Sequence, residues 1–477
     1  MKNIILSVFF AILLNQGNAQ TKYINIFHLN DIHGRIDNLP RIKFIIDSIT
    51  KTDGGYTIIL NAGDMFSGNP YVDKYAEPGY PIIDLLNMLP LTATTIGNHE
   101  FDYGISTLNK RIRQAKFPFL ASNIKNADST LLFTPGFITL KPYKKFNICL
   151  IGVTQTGVNG YPDSHPDKVK GLVFTPGTEI LSTLKKSKKQ QLCIVLSHMG
   201  IEMDTAFSNQ NDFPDLIIGG HSHEKLEKPY QGKYFPVLQA GSYAKYLGYY
   251  RYTLDKNKIV AEDYKFLPIK SGGNEDKAML EKVAEYKNAP QFNEVIADVK
   301  ADINGVNQLG TFMAMAYLKE CGADISVQNS GGVRTRTLKT GPLQLVKVFE
   351  LDPFDNPLVI AEMSQDEIIS LIMQSIKIEG DYDLIPAGFK YKIVRDETGK
   401  VKNIELDFGN TKPNKGGRFR VALNSYVFFS YPEKSKKIKY TDTGITSNDA
   451  LIRYFKSIKT ITPCEVMIPE NVSGKEY

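Results

Sequence analysis

The chain has 477 residues, of which 42% are hydrophobic and 23% are charged, and its formal net charge is +6. This balance excludes a wholly disordered chain, and the length exceeds that of one typical domain, so we expect two globular domains. The Lys-rich stretches Lys185–Lys189 and Lys434–Lys439 are short and interrupted, which argues against a nucleic-acid partner.

The N-terminal segment has the pattern of a secretory signal peptide. A positive Lys2 precedes the apolar run Ile4–Leu14, and the small residues Gly17-Asn18-Ala19 follow. The run is too short to span a bilayer as a helix, and the alternative is a buried N-terminal strand. We predict that residues 1–19 are a signal peptide and that the protein is exported, to the periplasm or out of the cell. No later segment resembles a transmembrane helix, so we expect no stable membrane insertion.

Short apolar runs alternate with helical patterns through residues 20–271. Helices are predicted at Leu39–Ile49 and Ile83–Met88, and more antiparallel strands at Tyr234–Gln239 and Tyr249–Pro268. This interleaving predicts an α/β layered domain. The remaining strands are predicted at Tyr23–Leu29, Thr57–Leu60, Ala93–Ile96, Phe119–Ser122, Asn147–Val153, Leu192–Ser197 and Asp215–Ile218.

A charged, helix-prone stretch, residues 272–291, is predicted to be a linker or hinge helix. Residues 292–477 then mix helical and strand patterns, which predicts a smaller α+β domain. Its helices are predicted at Val306–Cys321 and Ser364–Ser375, and its strands at Phe389–Val394, Asn403–Asp407 and Arg418–Ala422.

The four cysteines show no spacing typical of a metal site. Cys149 and Cys193 lie in strand-like runs and are expected to be buried thiols. Cys321 and Cys464 can pair, but four cysteines allow three pairings and the sequence does not choose among them.

Five of the seven histidines follow predicted strands, within polar clusters. Because ligands bind at the carboxyl ends of strands in α/β sheets, we expect these clusters to meet. Glycines beside them allow tight turns. The clusters are Asn30-Asp31-Ile32-His33-Gly34, Asn61-Ala62-Gly63-Asp64, Gly97-Asn98-His99-Glu100-Phe101-Asp102, Ser197-His198 and Gly219-Gly220-His221-Ser222-His223.

These residue types predict a metal centre. Carboxylate, imidazole and amide oxygen together suit Mn²⁺, Zn²⁺ or Fe²⁺. The candidates are too many for one ion and indicate two divalent ions sharing an aspartate, an arrangement typical of phosphate-ester hydrolysis. Any one cluster alone would be read as a helix cap or a satisfied polar group.

The order Asp-x-His, Gly-Asp, Gly-Asn-His-Glu, His and Gly-His-x-His resembles the calcineurin-like metallophosphatases. The strings around His33 and His99 resemble the 5′-nucleotidase branch of that superfamily. The resemblance extends over essentially the whole mature chain, because the second half is similar to the C-terminal domain of that branch. The resemblance implies a metallophosphatase domain with a layered mixed β-sheet of the αββα sandwich type, followed by the smaller substrate-binding domain.

The resemblance also implies residue roles. The first metal would be held by Asp31, His33, Asp64 and His223, and the second by Asp64, Asn98, His198 and His221. His99 would not bind metal but would assist the reaction, oriented by Asp102. His28 and His165 fall outside this set and are expected to be a packed strand residue and a loop residue.

The second domain carries candidate substrate contacts after the short predicted strand Asp324–Val327. Consecutive glycines allow a ligand to approach the backbone, and Arg334 is a planar donor for phosphate or a nucleoside. Gln328-Asn329-Ser330-Gly331-Gly332-Val333-Arg334 resembles the family's Asn-Gly-Gly-Gly-Ile-Arg signature. Leu351-Asp352-Pro353-Phe354-Asp355-Asn356 resembles its Leu-Pro-Phe-Gly-Asn, which implies that Phe354 stacks on a base. The implied substrate contacts are Asn329, Gly331, Gly332, Arg334 and Phe354.

Two departures from the family leave the substrate open. In the family, a Gly-Gly-Asp-Gly stretch with an aromatic residue follows an Asn-Ser pair near the C-terminus and covers the second face of the base. This stretch is missing after Asn424-Ser425, so Tyr426, Phe429 and Tyr431 are the candidates for that role. The region Ile303–Gly310 also lacks the arginine that the family often carries.

The resemblance implies hydrolysis of a small-molecule nucleotide, a nucleoside 5′-monophosphate, to nucleoside and phosphate. The alternatives keep the metal centre but act on 2′,3′-cyclic nucleotides, nucleotide-sugars or a sulfur ester. A non-catalytic nucleotide-binding protein is a further alternative, which the presence of every expected ligand disfavours.

Overall fold

The computed structural model describes residues 21–128, 130, 132, 136–185, 189–270, 272–379, 382–430, 438–464 and 470–473. The predicted signal peptide and Tyr431 lie outside these described residues. The contacts divide the chain into two compact units, one made of the chain up to Ser67 with Pro78–Val283 and the other of Gly68–Glu77 with the chain from Ala284. No helix in the described part of the chain is both long and apolar enough to cross a membrane.

Helices occur in both units. In chain order they are α1 (Leu39–Asp53), α2 (Pro70–Asp73), α3 (Tyr80–Met88), α4 (Gly104–Gln114), α5 (Gly177–Thr183), α6 (Ile201–Gln210), α7 (Lys277–Lys287), α8 (Pro290–Asn293), α9 (Val306–Glu320), α10 (Leu345–Leu351), α11 (Gln365–Glu379), α12 (Ser425–Ser430) and α13 (Ser447–Ile458).

The first unit contains the strands β1 (Lys22–Leu29), β2 (Tyr56–Asn61), β3 (Ala93–Thr95), β4 (Phe119–Leu120), β5 (Ile124–Asn126), β6 (Phe137–Tyr143), β7 (Phe146–Thr154), β8 (Leu172–Phe174), β9 (Leu192–His198), β10 (Leu216–Gly219), β11 (Tyr230–Gln231), β12 (Pro236–Leu238), β13 (Tyr246–Asp255) and β14 (Lys258–Pro268).

Two six-stranded mixed sheets form the first unit. Their strand orders are β14-β13-β1-β2-β3-β4 and β11-β12-β10-β9-β7-β6. Strands β1 to β4 run parallel in one sheet, as do β7, β9, β10 and β12 in the other, and the remaining strands pair antiparallel. Side chains of both sheets share one core, so the sheets face each other.

The central strands of the second sheet are buried on both faces. Ile148 and Leu150 of β7 enter the core between the sheets, whereas Cys149 and Ile151 pack on the other face with Phe207 of α6. Successive strand residues point to opposite faces, so a strand covered on both sides reads as a continuous apolar run. The predicted layered α/β architecture is confirmed.

The second unit contains the strands β15 (Val295–Val299), β16 (Ile303–Asn304), β17 (Ile325–Asn329), β18 (Thr337–Leu338), β19 (Gly341–Gln344), β20 (Pro357–Ser364), β21 (Leu384–Ala387), β22 (Lys390–Arg395), β23 (Val401–Asp407), β24 (Arg418–Asn424), β25 (Tyr440–Thr446), β26 (Thr460–Ile461) and β27 (Glu470–Ser473).

A five-stranded sheet of order β21-β17-β24-β20-β25 forms the centre of the second unit. Helices α9 and α13 pack into one hydrophobic core and α11 into another, and both cores contain residues of this sheet. The predicted mixture of helices and strands is present, and both parallel and antiparallel pairs occur. All four cysteines are free thiols, with Cys149 and Cys193 buried.

Candidate metal centre

Five of the predicted site residues have left-handed backbone conformations. The φ angles are 49° at Asp31, 50° at His33, 53° at Asp64, 75° at His221 and 57° at His223. Such angles are uncommon outside glycine, and they persist only where the surroundings hold the backbone in place. Their concentration at these strand ends marks a functional site.

The loops after β1 and β2 hold each other through backbone hydrogen bonds. The amide of Asp31 donates to the carbonyl of Gly63 at 3.1 Å, and that of His33 donates to the carbonyl of Asp64 at 3.0 Å. These bonds satisfy backbone groups that the left-handed turns remove from the sheets.

Glu100 organises two of the loops, a role that the sequence did not reveal. Its buried carboxylate accepts hydrogen bonds from the amides of Asp64 at 2.8 Å, Met65 at 2.7 Å and Gly97 at 2.6 Å. Burial and the charge of Asp64 raise the pKa of Glu100, whereas these backbone bonds oppose the rise. The sequence offered one signal for this role, namely a carboxylate within a motif that follows a buried strand.

Gly97 is required by a close approach. A Cβ atom at this position would lie 2.0 Å from Oδ1 of Asp64, far inside van der Waals contact. The Gly-Asn-His-Glu motif therefore begins with glycine because the Asp64 carboxylate lies against its backbone.

The first ligand group consists of Asp31, His33 and His223, whose ligand atoms all lie within 4.8 Å of one another. Nε2 of His33 lies 3.1 Å from Nε2 of His223, and the latter lies 3.4 Å from Oδ1 of Asp31. Nitrogen and carboxylate atoms that converge in this way are arranged as ligands of one cation.

The second ligand group consists of Asp64, His198 and His221. Nε2 of His198 lies 3.0 Å from Oδ2 of Asp64 without the geometry of a hydrogen bond, and both residues are buried. Asn98 joins this group, because its Oδ1 lies 3.1 Å from Nδ1 of His221. Oδ2 of Asp64 also lies 3.9 Å from Nε2 of His33, so Asp64 adjoins both groups.

Backbone carbonyls orient two of the histidines. Nδ1 of His33 lies 3.0 Å from the carbonyl of Ser67, and Nδ1 of His198 lies 2.7 Å from that of Ala62. A proton on Nδ1 leaves the lone pair on Nε2, which faces the carboxylates. The mixture of imidazoles, carboxylates and an amide oxygen fits divalent cations such as Mn²⁺, Zn²⁺ or Fe²⁺.

His99 is bound to Asp102, with Nδ1 and Oδ2 separated by 2.7 Å. Burial alone would lower the pKa of His99, but this hydrogen bond and the charges of Asp64, Asp102 and Glu100 raise the pKa to about 9. The ligand atoms of His99, His33 and Asp64 also lie within 4.8 Å of one another. The imidazole therefore adjoins the candidate ligands while its other nitrogen is occupied by Asp102.

Asp163 was missed by the sequence analysis, since it lies in a loop without a recognisable motif. Nδ2 of Asn98 donates to its backbone carbonyl at 3.0 Å, and its Oδ2 lies 3.6 Å from Nε2 of His221. His28 and His165 lie apart from the ligand groups: His28 is fully buried and His165 is exposed.

The candidate substrate residues lie in the second unit. Asn329 is buried and accepts a hydrogen bond from Asn424 at 3.1 Å. The guanidinium carbon of Arg334 lies 5.5 Å from the ring centre of Phe354, whose side chain is 54% exposed. Gly331 is exposed and Gly332 is buried. Of the alternative clamp residues, Tyr426 and Phe429 are both exposed.

Two family models match the chain. Residues 24–225 match the calcineurin-like phosphoesterase model, and residues 282–430 match the 5′-nucleotidase C-terminal domain. The chain belongs to the 5′-nucleotidase family of calcineurin-like phosphoesterases. It is therefore a hydrolase, and the family implies divalent metal ions, for which the Asp and His groups offer ligands.

Relatives of this 5′-nucleotidase-family chain match along most of its length. A 5′-nucleotidase of Vibrio parahaemolyticus is 27% identical over 93% of this chain and 91% of its own. The crystal structure of a 5′-nucleotidase precursor from Thermus thermophilus has a TM-score of 0.66 at 21% identity, covering 94% of this chain and 99% of its own. The sulfate thiohydrolase SoxB of Thermus thermophilus shares the fold with a TM-score of 0.64 at 14% identity, covering 95% of this chain and 97% of its own.

Proposed function

We propose that this chain is an exported two-metal phosphohydrolase that cleaves nucleoside 5′-monophosphates to nucleoside and phosphate. Its ions are Mn²⁺, Zn²⁺ or Fe²⁺. The observation that carries the proposal is the position of Asp64, whose Oδ2 lies 3.0 Å from His198 and 3.9 Å from His33. A carboxylate between two ligand groups suits a bridge between two ions.

The ligands of the first ion are Asp31, His33, Asp64 and His223, and those of the second are Asp64, Asn98, His198 and His221. When bound, the ions polarise a phosphoryl group and activate water as a nucleophile.

His99 supplies the proton for the leaving oxygen. Asp102 holds Nδ1 of its ring, which leaves Nε2 to face the substrate. The hydrogen bond to the Asp102 carboxylate favours the protonated imidazole, the form that a general acid requires. The carboxylate also fixes the orientation of the ring.

The nucleoside is bound by residues of the second unit. The exposed ring of Phe354 offers a stacking surface, and Arg334 beside it offers a cation for a phosphate or a sugar hydroxyl. Base stacking on aromatic rings contributes about 1–3 kcal/mol. Asn329, Gly331 and Gly332 form the adjoining turn. We assign the domains to residues 20–271 and 292–477, joined through the linker 272–291. The second compact unit begins again at Ala284, within this linker, but it also includes Gly68–Glu77. The N-terminal sequence pattern supports export.

The test is phosphate release from adenosine 5′-monophosphate by the mature protein with Mn²⁺. Wild type is compared with His99→Ala and with His165→Ala, a matched loss of an exposed histidine on a loop. We expect wild type and His165→Ala to be active and His99→Ala to lose about 10²–10⁴-fold in kcat, the usual contribution of a proton-transfer group.

The other outcomes separate the alternatives. No release from the monophosphate, with cleavage of a 2′,3′-cyclic nucleotide, a nucleotide-sugar or a sulfur ester, would keep the metal centre and replace the substrate. Nucleotide binding with no turnover of any ester would identify a non-catalytic binding protein. Equal losses in the two histidine variants would contradict the role of His99.

A further inference from the structure

The loop between β7 and β8 reaches two of the candidate ligands of the second ion through one residue. The backbone carbonyl of Asp163 accepts a hydrogen bond from Nδ2 of Asn98 at 3.0 Å, and its carboxylate lies 3.6 Å from Nε2 of His221. The loop is itself ordered, because the amide of Asp163 donates to Gln155 at 3.0 Å and that of Gly157 donates to Tyr161 at 2.8 Å.

The hydrogen bond between Asn98 and Asp163 determines which end of the Asn98 side-chain amide faces the candidate metal site. A side-chain amide has one accepting and one donating end. Because Nδ2 is engaged by the carbonyl of Asp163, Oδ1 points the other way and lies 3.1 Å from Nδ1 of His221. The oxygen is thus presented as a ligand and the amide cannot turn without losing its bond.

The contact with His221 extends a pattern found at two other candidate histidine ligands. A metal-bound histidine normally presents its second ring nitrogen to a carbonyl or a carboxylate, which fixes the ring and increases the basicity of the ligating nitrogen. For His33 and His198 this acceptor is a backbone carbonyl. Nδ1 of His221 faces Asn98, and Nε2 faces the carboxylate of Asp163.

We propose that Asp163 is a positioning residue for the second metal ion. Its backbone orients Asn98 and its carboxylate orients His221, so that one loop residue controls two ligands of the same ion. This inference rests on the proposed two-metal centre but is independent of which ester is hydrolysed.

The exposure of Asp163 makes the proposal testable without disturbing the fold. Its side chain is 63% exposed, so the carboxylate contributes little to the stability of the chain. The same loop contains Asp167, whose side chain is 83% exposed and lies near His165 rather than near a candidate ligand. Asp167→Asn is therefore a matched control for Asp163→Asn, and both variants keep the backbone carbonyl.

The experiment measures Mn²⁺ binding to chelator-treated protein by equilibrium dialysis, together with thermal melting of the chelator-treated protein. In Asp163→Asn we expect one of two binding steps to weaken by about 10–100-fold, as for other residues that orient metal ligands, while the other step is unchanged. Asp167→Asn should bind both ions as wild type does, and the melting temperatures of all three chelator-treated proteins should agree.

Three results would overturn the inference: unchanged binding in Asp163→Asn, equal weakening in Asp167→Asn, or a lower melting temperature of Asp163→Asn before Mn²⁺ is added. Failure of the wild type to bind a second ion would overturn the inference together with the two-metal centre. Binding of two ions with a weakened step in Asp163→Asn, but no hydrolysis of the monophosphate, would support the inference and reject only the proposed substrate.

Discussion

Oε2 of Glu100 accepts a hydrogen bond from the backbone amide of Asp64 at 2.8 Å. The buried carboxylate of Glu100 therefore holds the left-handed turn that carries the carboxylate of Asp64. The same side chain binds the amides of Met65 and Gly97. Each buried donor that loses its partner costs about 1–3 kcal/mol. Glu100→Ala should therefore lower the free energy of unfolding by about 3 kcal/mol or more, measured by urea unfolding followed by circular dichroism.

The control for this prediction is Glu202→Ala, the loss of an exposed carboxylate in the first turn of α6. Surface substitutions of this kind stay within about 0.5 kcal/mol. A Glu100→Ala protein as stable as Glu202→Ala would show that the loops after β2 and β3 hold without this carboxylate.

The position of Asp64 between the ligand groups predicts different metal losses for two substitutions. Asp64→Asn should reduce the binding of both ions, whereas His223→Asn should remove the first ion only. Asparagine tolerates the left-handed backbone found at both positions, so neither variant adds strain. The measurement is metal content per chain by elemental analysis after gel filtration. Retention of one full ion by Asp64→Asn would argue against a bridging role.

The exposed ring of Phe354 predicts an effect on substrate affinity without an effect on folding. Phe354→Ala should raise the KM for adenosine 5′-monophosphate by about 5–150-fold, which corresponds to the loss of about 1–3 kcal/mol of base stacking. Turnover of a phosphate ester that lacks a base should not change. Phe137→Ala removes another half-exposed ring, in β6, and serves as the control. An unchanged KM would transfer the stacking role to another aromatic residue.

The burial of His28 predicts that the protein loses stability in mild acid. It is fully buried, neither ring nitrogen has a hydrogen-bond partner, and burial lowers its pKa to about 3. Its neighbours include Leu60 on β2, Gly248 on β13 and the ring of Tyr264 on β14. Tyr264 is uncharged in this range because burial raises its pKa. Unfolded histidine gains a proton near pH 6.5, whereas the folded residue does so only near pH 3.

Protonation therefore favours the unfolded state as the pH falls below 6.5, and the contribution of neutral His28 is fully present only above that value. Lowering the pH from 6.5 to 5 therefore reduces the free energy of unfolding by about 2 kcal/mol. Urea unfolding at several pH values should show a shallower acid dependence in His28→Leu than in wild type, with His165→Leu as the exposed control. Identical slopes in His28→Leu and wild type would assign the acid dependence to other groups.

The sequence by itself determined the main strands of the first unit and the residue types of the candidate site. Strands buried on both faces, such as β7 and β9, appear as continuous apolar runs, so their positions follow from local composition. The first strand was predicted at Tyr23–Leu29 and is found at Lys22–Leu29. Because ligand types depend on residue identity, the Asp, His and Asn clusters after successive strands were sufficient to indicate a metal centre.

Only the tertiary structure decided which of these clusters meet and what holds them. His33 and His223 are separated by 190 residues, yet their Nε2 atoms lie 3.1 Å apart. Sheet order brings strand ends together, and local patterns carry no information about that order. For the same reason Glu100 and Asp163 emerged only from the structure: their partners are backbone atoms and side chains from other loops, and such contacts exist only when the sheets have assembled.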